Sequence, residues 1–312
     1  MFNLLQKQYL YTSNYSEDEE SLSKMEIKYL FDISPERKYF FSDIHVDPSR
    51  SPFIKKCIDI IYTGASIQSI LDKIQSDKLF GLNYKVVYVD NTIEEIGFHE
   101  RREIERTVGL CILGEADFKN PQTTYGITKL ENQWFFGKCE SNASDWLSHN
   151  KKPFSYCNAL KVNVSRALVN IAVGNNLTTR VIDPCCGIGT VLIEALSLGI
   201  DIKGYELNPY IGENAKRNLE YFGYEDVVTI DNMINIQDEF DVAIVDLPYG
   251  LSTEISKEEQ LSIISGTKRI ANRMVIITLE NMESEILSSG FHIEAKCTIS
   301  KGTFKRYITI CS

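Results

Sequence analysis

Residues 180–206 read RVIDPCCGIGTVLIEALSLGIDIKGYE, and this stretch decides the fold. Val181 and Ile182 make the short apolar run of a buried parallel strand. Pro184, which lacks a ladder N–H, ends that strand just after Asp183. Gly187 and Gly189 allow a tight loop whose backbone can approach a ligand without a Cβ in the way. From Thr190 onward, Val191, Leu192, Ala195, Leu196 and Leu198 keep a helical spacing that Gly199 terminates. A second strand over residues 200–205 runs to the carboxylate of Glu206. A strand, a glycine loop, a helix and a strand ending in an acid are the layout of a nucleoside-cofactor site in an open α/β sheet.

The loop chemistry narrows the ligand. A dinucleotide fingerprint wants a third glycine where Leu192 stands, and a phosphate-binding P-loop wants a lysine that this loop lacks. Asp183 at the strand tip would repel a phosphate and attract a cation. S-adenosylmethionine carries a sulfonium and an ammonium group, so an acidic mouth suits it, with Glu206 placed for the ribose hydroxyls. An ordinary βαβ unit with a glycine turn and no ligand explains the glycine pair equally well. The acids and motifs further along the chain decide between the two.

Composition sets the outer limits. The 312 residues fit two domains. Hydrophobic residues at 43% and charged ones at 24% are those of a soluble globular chain with a real core. No apolar run reaches spanning length, and MFNLLQKQYLY lacks a signal-peptide layout, so a cytoplasmic protein is expected. The eight cysteines show no CxxC and the four histidines are scattered, which implies reduced thiols and no metal site. A net charge of −10 excludes a globally basic nucleic-acid coat, so any such binding must use a local patch.

Along the chain, Ser16-Glu17-Asp18-Glu19 has the form of a capping box, and Leu22, Met25, Tyr29 and Leu30 give the next helix an apolar face. Residues 37–46 read as a strand, 52–64 and 66–78 as helices, and 84–90 as a strand. A helix over 100–113 carries Arg101, Arg102 and Arg106 among Glu100, Glu103 and Glu105; residues 123–127 and 133–138 could pair as strands. Polar residues 141–153 read as a linker. Beyond it, a helix over 160–173 precedes the opening unit, and a helix over 209–222 comes after it. Strands over 227–230, 241–245 and 274–279 then lead to a closing antiparallel pair, 291–299 with 307–311. Strands alternating with helices make a mostly parallel, doubly wound sheet.

On that sheet Asp183, Glu206 and Asp231 fall at the carboxyl ends of successive strands, where open α/β sheets bind ligands. A single acid there is usually a helix cap, but three in register line a slot for a cationic nucleoside. Asp246-Leu247-Pro248-Tyr249 adds a fourth acid beside a rigid proline and an aromatic ring. A carboxylate accepting from an exocyclic base amine increases electron density on that nitrogen and orients it toward a methyl donor. Tyr249 offers a face on which an extruded base can stack. Taken alone, the tetrapeptide reads as a strand-ending turn.

DPCCGIGT, GYELN and DLPYG, in this order and spacing, resemble the S-adenosylmethionine-dependent N-methyltransferases with an (N/D)PPY-type motif. Within them the chain resembles the THUMP-containing RNA methylases that form N2-methylguanosine in tRNA. KKPFSYCNALKVNVSRALVNIAVG and KNPQTTYGITKLENQWFFGK are similar to that family's interdomain segment and to the end of its THUMP domain. Leu247 departs from the usual proline of the motif.

The resemblance implies a Rossmann-like doubly wound methyltransferase sheet behind an α+β THUMP-like module. Its divisions are a ferredoxin-like part at 1–50, a THUMP-like part at 51–140, a linker at 141–158 and the methyltransferase domain at 159–312. Asp183, Cys185, Gly187, Gly189, Thr190, Glu206, Asp231 and Asn232 would hold S-adenosylmethionine, and Asp246, Pro248 and Tyr249 the target base. Arg101, Arg102, Arg106 and Lys138 would meet RNA phosphates, tRNA or another structured RNA being the partner. Two readings compete with this one, an adenine-N6 DNA methyltransferase and a catalytically inactive RNA-binding protein that keeps the fold.

Overall fold

The computed structural model describes residues 7–91, 96–156, 159–248, 255–301 and 304–312. They fall into two compact units, Met1–Asn14 with Pro35–Ala143, and Tyr15–Ser34 with Ser144–Ser312. The chain starts in the first with β1 (Tyr9–Ser13), contributes α1 (Glu20–Phe31) to the second and returns to the first with β2 (Tyr39–Ser42). The first unit continues through β3 (Ile54–Gly64), α2 (Ile67–Ser76), β4 (Phe80–Tyr88), α3 (Phe98–Gly109), β5 (Leu113–Ala116), β6 (Thr123–Leu130) and β7 (Gln133–Ser141).

These strands form one mixed sheet in the order β2-β1-β3-β7-β6-β4-β5, with β4 parallel to both of its neighbours and every other pair antiparallel. Ile70, Ile74, Ile104 and Val108 of the two helices pack with Tyr84, Val86, Ile127 and Phe136 of the sheet. Residues 52–64, expected as a helix, are instead mostly the strand β3 between β1 and β7. Ile58, Ile60, Ile61, Tyr62 and Thr63 are β-branched or aromatic and suit a pleated surface, and the pairing on both sides outweighs the helical spacing. The expected helix over 100–113 ends at Gly109, after which Leu113–Ala116 pairs with β4. Ser16 precedes a single 3-10 turn, Glu17–Glu19, without capping its backbone through the side chain; its hydroxyl donates instead to Oε2 of Glu19 at 2.8 Å, one residue before α1.

The second unit continues as α4 (Val162–Val173), β8 (Val181–Asp183), α5 (Thr190–Ser197), β9 (Ile202–Glu206), α6 (Pro209–Tyr221), β10 (Val228–Ile230), β11 (Phe240–Asp246), α7 (Lys257–Ile270), β12 (Ala271–Thr278), α8 (Glu283–Ser288), β13 (Ile293–Lys301) and β14 (Phe304–Cys311). Its sheet runs β10-β9-β8-β11-β12-β14-β13, parallel from β10 to β12, with the last two strands antiparallel. This is the Rossmann-like, doubly wound α/β architecture that the alternation of strands and helices implied. The order reverses at β8, which lies between β9 and β11, so the topological switch point sits at the tip of β8. Ala243, Val245 and Leu247 pack with Ile264, Ile270 and Ile286 of α7 and α8 on one face. Among the described residues no helix is long and apolar enough to cross a membrane.

Helix α4 shows what α1 contributes. Its apolar spacing anticipates one buried face, yet every residue from Val164 to Val173 is buried. Against its outer side lies α1, seven of whose residues are buried as well. The polar side chains of α4 are therefore matched by partners. Asn170 Nδ2 donates to Glu26 Oε1 at 2.6 Å with both residues fully buried, and Asn163 Nδ2 donates to Glu19 Oε1 at 2.6 Å. Removing the amide leaves the Glu26 carboxylate short of a donor in an apolar setting, at a cost of about 2–3 kcal/mol. Asn170→Ala should lower the thermal midpoint accordingly while Asn163→Ala, whose partner lies nearer solvent, lowers it less. Differential scanning calorimetry of the two variants measures the contrast.

Candidate active site

The carboxyl ends of β10, β9, β8 and β11 stand side by side, and each carries or is followed by an acid. At a strand spacing of roughly 4.8 Å, the row spans about 14 Å, the scale of a nucleoside with an extended substituent. Register places Asp183 opposite Gly204, Ile230 opposite Glu206, and Ile182 opposite Ala243. Paired residues share a face and alternate residues return to it, so Asp183, Glu206 and Asp246 all project from the face opposite α7 and α8.

The loop between β8 and α5 is wired to Glu206. Gly187 N donates to Glu206 Oε2 at 3.0 Å, and Asn208 N donates to Oε1 at 2.8 Å. One carboxylate thus fixes both the glycine loop and the turn into α6. Gly187 and Gly189 adopt φ of 54° and 79°, in the left-handed region that favours glycine. A Cβ on Gly187 would also come within 2.7 Å of the Tyr156 hydroxyl. Gly189 caps α5, and Thr190 at its start is buried. Asp231 comes directly after β10 and accepts from Asn232 N at 2.7 Å and Asn235 Nδ2 at 2.8 Å; Asn232 in turn caps the short turn Met233–Asn235.

Asp183 and Asp246 are the strained members of the row. Asp183 is only 2% exposed and accepts from Cys185 N at 3.2 Å. Burial pushes its pKa well above the usual carboxylate range, the Cys185 N–H opposes that rise, and the charges of Asp246 and Glu206 add to it. Cys185 and Cys186 are likewise raised by burial beside these acids, so both remain thiols. Asp246 is partly exposed as a residue, yet its Oδ1 is buried with no hydrogen-bond partner among the described residues. Burial raises its pKa to about 7, against the opposing charge of Arg306. Leu247 is 2% exposed in the core, and its N–H donates to Ile277 O at 3.0 Å, prolonging the β11 ladder. Proline could not make that bond, which gives the departure from the expected motif a physical reason. Pro248 comes next, half-buried, and Tyr249 lies outside the described residues.

Sequence reasoning missed the groups behind the loop. Asn218 of α6 is fully buried; its Oδ1 accepts from Phe154 N at 2.9 Å, and its Nδ2 donates to Phe154 O at 3.0 Å and Ile188 O at 2.9 Å. It ties the segment bearing Tyr156 to the glycine loop. Within the expected linker, His149 is buried with its Nδ1 2.6 Å from Glu194 Oε1, and Arg166 Nη1 donates to Glu194 Oε2 at 3.0 Å. The signal was an acid inside the apolar run VLIEALSL, which burial obliges to be paired.

The basic residues of the first unit divide. Arg101 Nη1 donates to Asp90 Oδ1 at 2.6 Å, and Arg102 donates to Glu105 Oε2 at 2.9 Å while lying over the Phe98 ring. Arg106 and Lys138 are exposed and in no ion pair among the described residues. Also among those residues, no group of acids, histidines and cysteines is arranged to hold a metal ion.

Comparison with known proteins locates the likeness. Residues 149–296 match the family described as an RMKL-like methyltransferase domain. The tRNA (guanine(10)-N2)-dimethyltransferase of Methanothermobacter thermautotrophicus is 25% identical over 171 residues, 51% of this chain and 51% of the relative. Its counterpart in Pyrococcus abyssi is 26% identical over 239 residues, 68% of this chain and 70% of the relative. The chain thus spans about half the length of the first relative. Among solved structures, TrmN from Thermus thermophilus aligns over 98% of this chain and 99% of its own with a TM-score of 0.48 and 14% identity.

The titration of Asp246 has a consequence for stability. An aspartate ordinarily titrates near 4, so a folded-state pKa of about 7 means the native protein holds this proton more tightly than the unfolded chain. Stability from this group is complete below about pH 4 and is lost as pH rises toward 7. Asp246→Asn should therefore exceed wild-type stability by about 1–3 kcal/mol at pH 8 and lose that advantage at pH 4. Urea unfolding at the two pH values decides it.

Proposed function

We propose that this chain is an S-adenosylmethionine-dependent RNA methyltransferase that modifies the N2 amine of a guanosine in tRNA. The observation that carries the proposal is Asp246 Oδ1, a buried acceptor without a donor among the described residues, at the switch-point edge of an acid-lined sheet. An exocyclic base amine supplies the missing N–H. The match of residues 149–296 to a methyltransferase-domain family and the two tRNA guanine-N2 dimethyltransferase relatives support the same reading.

S-adenosylmethionine brings an electrophilic methyl group on a sulfonium, and the pocket suits such a cation. Glu206 places negative potential beside a glycine loop with no Cβ to obstruct it, and a cation held there would draw the buried Asp183 toward its charged form. Glu206 accepts two backbone N–H bonds and keeps lone pairs that would serve the ribose hydroxyls; Asp231 and Asn232 would hold the adenine end, and Cys185 and Thr190 would complete the pocket. Asp246 would accept from the amine, orient its lone pair and stabilise the positive charge that nitrogen acquires as the N–C bond forms and the S–C bond breaks, the sulfonium leaving as a neutral thioether. The proton then leaves nitrogen through the same carboxylate. Pro248 restrains the turn, and Tyr249 is the stacking partner proposed for the base.

The RNA-contacting role goes to the first unit, which we read as a THUMP-like module behind a ferredoxin-like strand set. It holds 15 Lys and Arg against 16 Asp and Glu, whereas the second unit holds 18 against 27 and repels a phosphate backbone more strongly. Arg106 and Lys138 carry the contact better than Arg101 and Arg102, whose guanidinium groups already serve acids within the unit. A tRNA substrate agrees with the cytoplasmic location expected from the sequence.

Asp246→Ala should lower single-turnover methyl transfer to unmodified tRNA by about a hundred- to a thousandfold with little change in cofactor affinity, as expected for a contact made chiefly in the transition state. Glu206→Ala should instead weaken binding of S-adenosylhomocysteine by about 1–3 kcal/mol in calorimetry. Near-normal transfer by a folded Asp246→Ala protein rules out this site. Mass spectrometry of the product, mapped first at guanosine 10 because the relatives are named for it, identifies the nucleotide. Replacing Arg106 and Lys138 together should weaken tRNA binding and reduce the slope of log affinity against log salt by about 1–2. A filter-binding salt titration reads both effects.

A further inference from the structure

The charge environment of Asp246 includes one group from an unexpected direction. Asp246 pairs with Ile277 of β12, and Ile277 pairs with Ile308 of β14. Since paired residues share a face and alternate residues return to it, Arg306 projects from the same face as Asp246, two residues nearer the open edge. The backbone separation is about 10 Å across two strand spacings and ~7 Å along the strand, a gap that an arginine side chain and an aspartate side chain bridge from both ends. Arg306 is half-buried, and it is the opposing charge that bears on Asp246.

The other charged and titratable groups around this carboxylate are Asp183 at the tip of β8, Glu206 at the tip of β9 and the Cys185 thiol. Burial favours the protonated form of Asp246, and the Arg306 charge opposes it. A protonated Asp246 would offer its O–H where the reaction needs an acceptor. Residues 295–312, which supply Arg306, contain Lys296, Lys301, Lys305 and Arg306 and no acid. Lys296 is engaged with Glu283 at 2.6 Å, and Lys305 is exposed with its ammonium over the Tyr307 ring.

We infer that Arg306, reaching along β14 to the mouth of the site, is a positioning residue that keeps the Asp246 carboxylate ionised and therefore able to accept from the base amine. The inference rests on the reading of Asp246 as that acceptor. It assigns the closing hairpin of the sheet a part in the chemistry in addition to its part in the fold. Without the guanidinium, burial holds the proton on Asp246 to higher pH, and the enzyme gains activity only as that proton is lost.

The test is the pH dependence of single-turnover transfer from saturating S-adenosylmethionine to unmodified tRNA by the full-length protein. Wild type, Arg306→Lys, Arg306→Gln, Arg306→Ala and Asp246→Asn are compared. Wild type should rise with pH through a midpoint near 7, where burial places Asp246. Arg306→Gln and Arg306→Ala should move that midpoint up by about one unit, a loss of roughly tenfold at pH 6 that fades by pH 9, and Arg306→Lys should restore it. Binding of S-adenosylhomocysteine by each variant shows that the pocket is intact. An unmoved midpoint in both neutral variants overturns the proposal, as does a uniform rise in KM for tRNA, which would make Arg306 a phosphate contact. The Asp246→Asn protein keeps the two failures apart, because near-normal transfer by it removes the acceptor reading whatever the Arg306 variants do.

Discussion

Carboxylates gathered at the ends of neighbouring strands repel one another, and burial makes each harder to ionise. Asp183, Glu206 and Asp246 share one face of one edge, and the structure resolves their repulsion unequally. Glu206 receives two backbone N–H groups and acts as the structural acid. Asp183 receives one from its own turn and is held toward the protonated form. Asp246 receives no donor at Oδ1 among the described residues and titrates near neutrality. Three carboxylates thus acquire three characters from their donors and burial, and only the last retains a strong demand for a hydrogen-bond donor.

An edge carrying this much unfavourable electrostatics must be held by something stiff. The glycine loop cannot supply that stiffness, so it comes from behind. Glu194, on α5 just beyond the loop, is clamped by His149 and Arg166, and Asn218 joins Ile188 to the backbone of Phe154. Helix α4 is enclosed in turn by α1, a segment from far upstream whose Glu26 answers the buried Asn170. Polar groups placed in apolar surroundings are specific because each must find its own partner. That requirement fixes how the segments around the site are arranged, where hydrophobic contact alone would tolerate several packings.

Much of the second unit was legible in the chain. Pro184 and Gly199 punctuate a strand and a helix, apolar runs alternate with amphipathic ones, and the acids Asp183, Glu206 and Asp231 come one strand apart. These are local signals, and they imply a mostly parallel, doubly wound sheet with acids at its strand ends; the strand order itself comes from the structure. Leu247 looked like a departure from a motif; its backbone bond to Ile277 and its burial show it serving the β11 ladder. The first unit was less legible. Residues 54–64 contain both helical and strand spacing, and only β1 and β7 on either side decide for the strand.

What the sequence determined by itself was the order and kind of elements in the second unit and the strand-end location of its acids, because both depend on residues close together in the chain. What only the tertiary structure decided was which acid is satisfied and which is not, that Arg306 opposes Asp246, that α1 covers α4, and that Arg106 and Lys138 remain exposed while Arg101 and Arg102 are engaged. Burial and the pairing of charges depend on groups separated by tens to hundreds of residues. Their energies are set by the distance and desolvation that folding creates, and neither quantity exists in the unfolded chain.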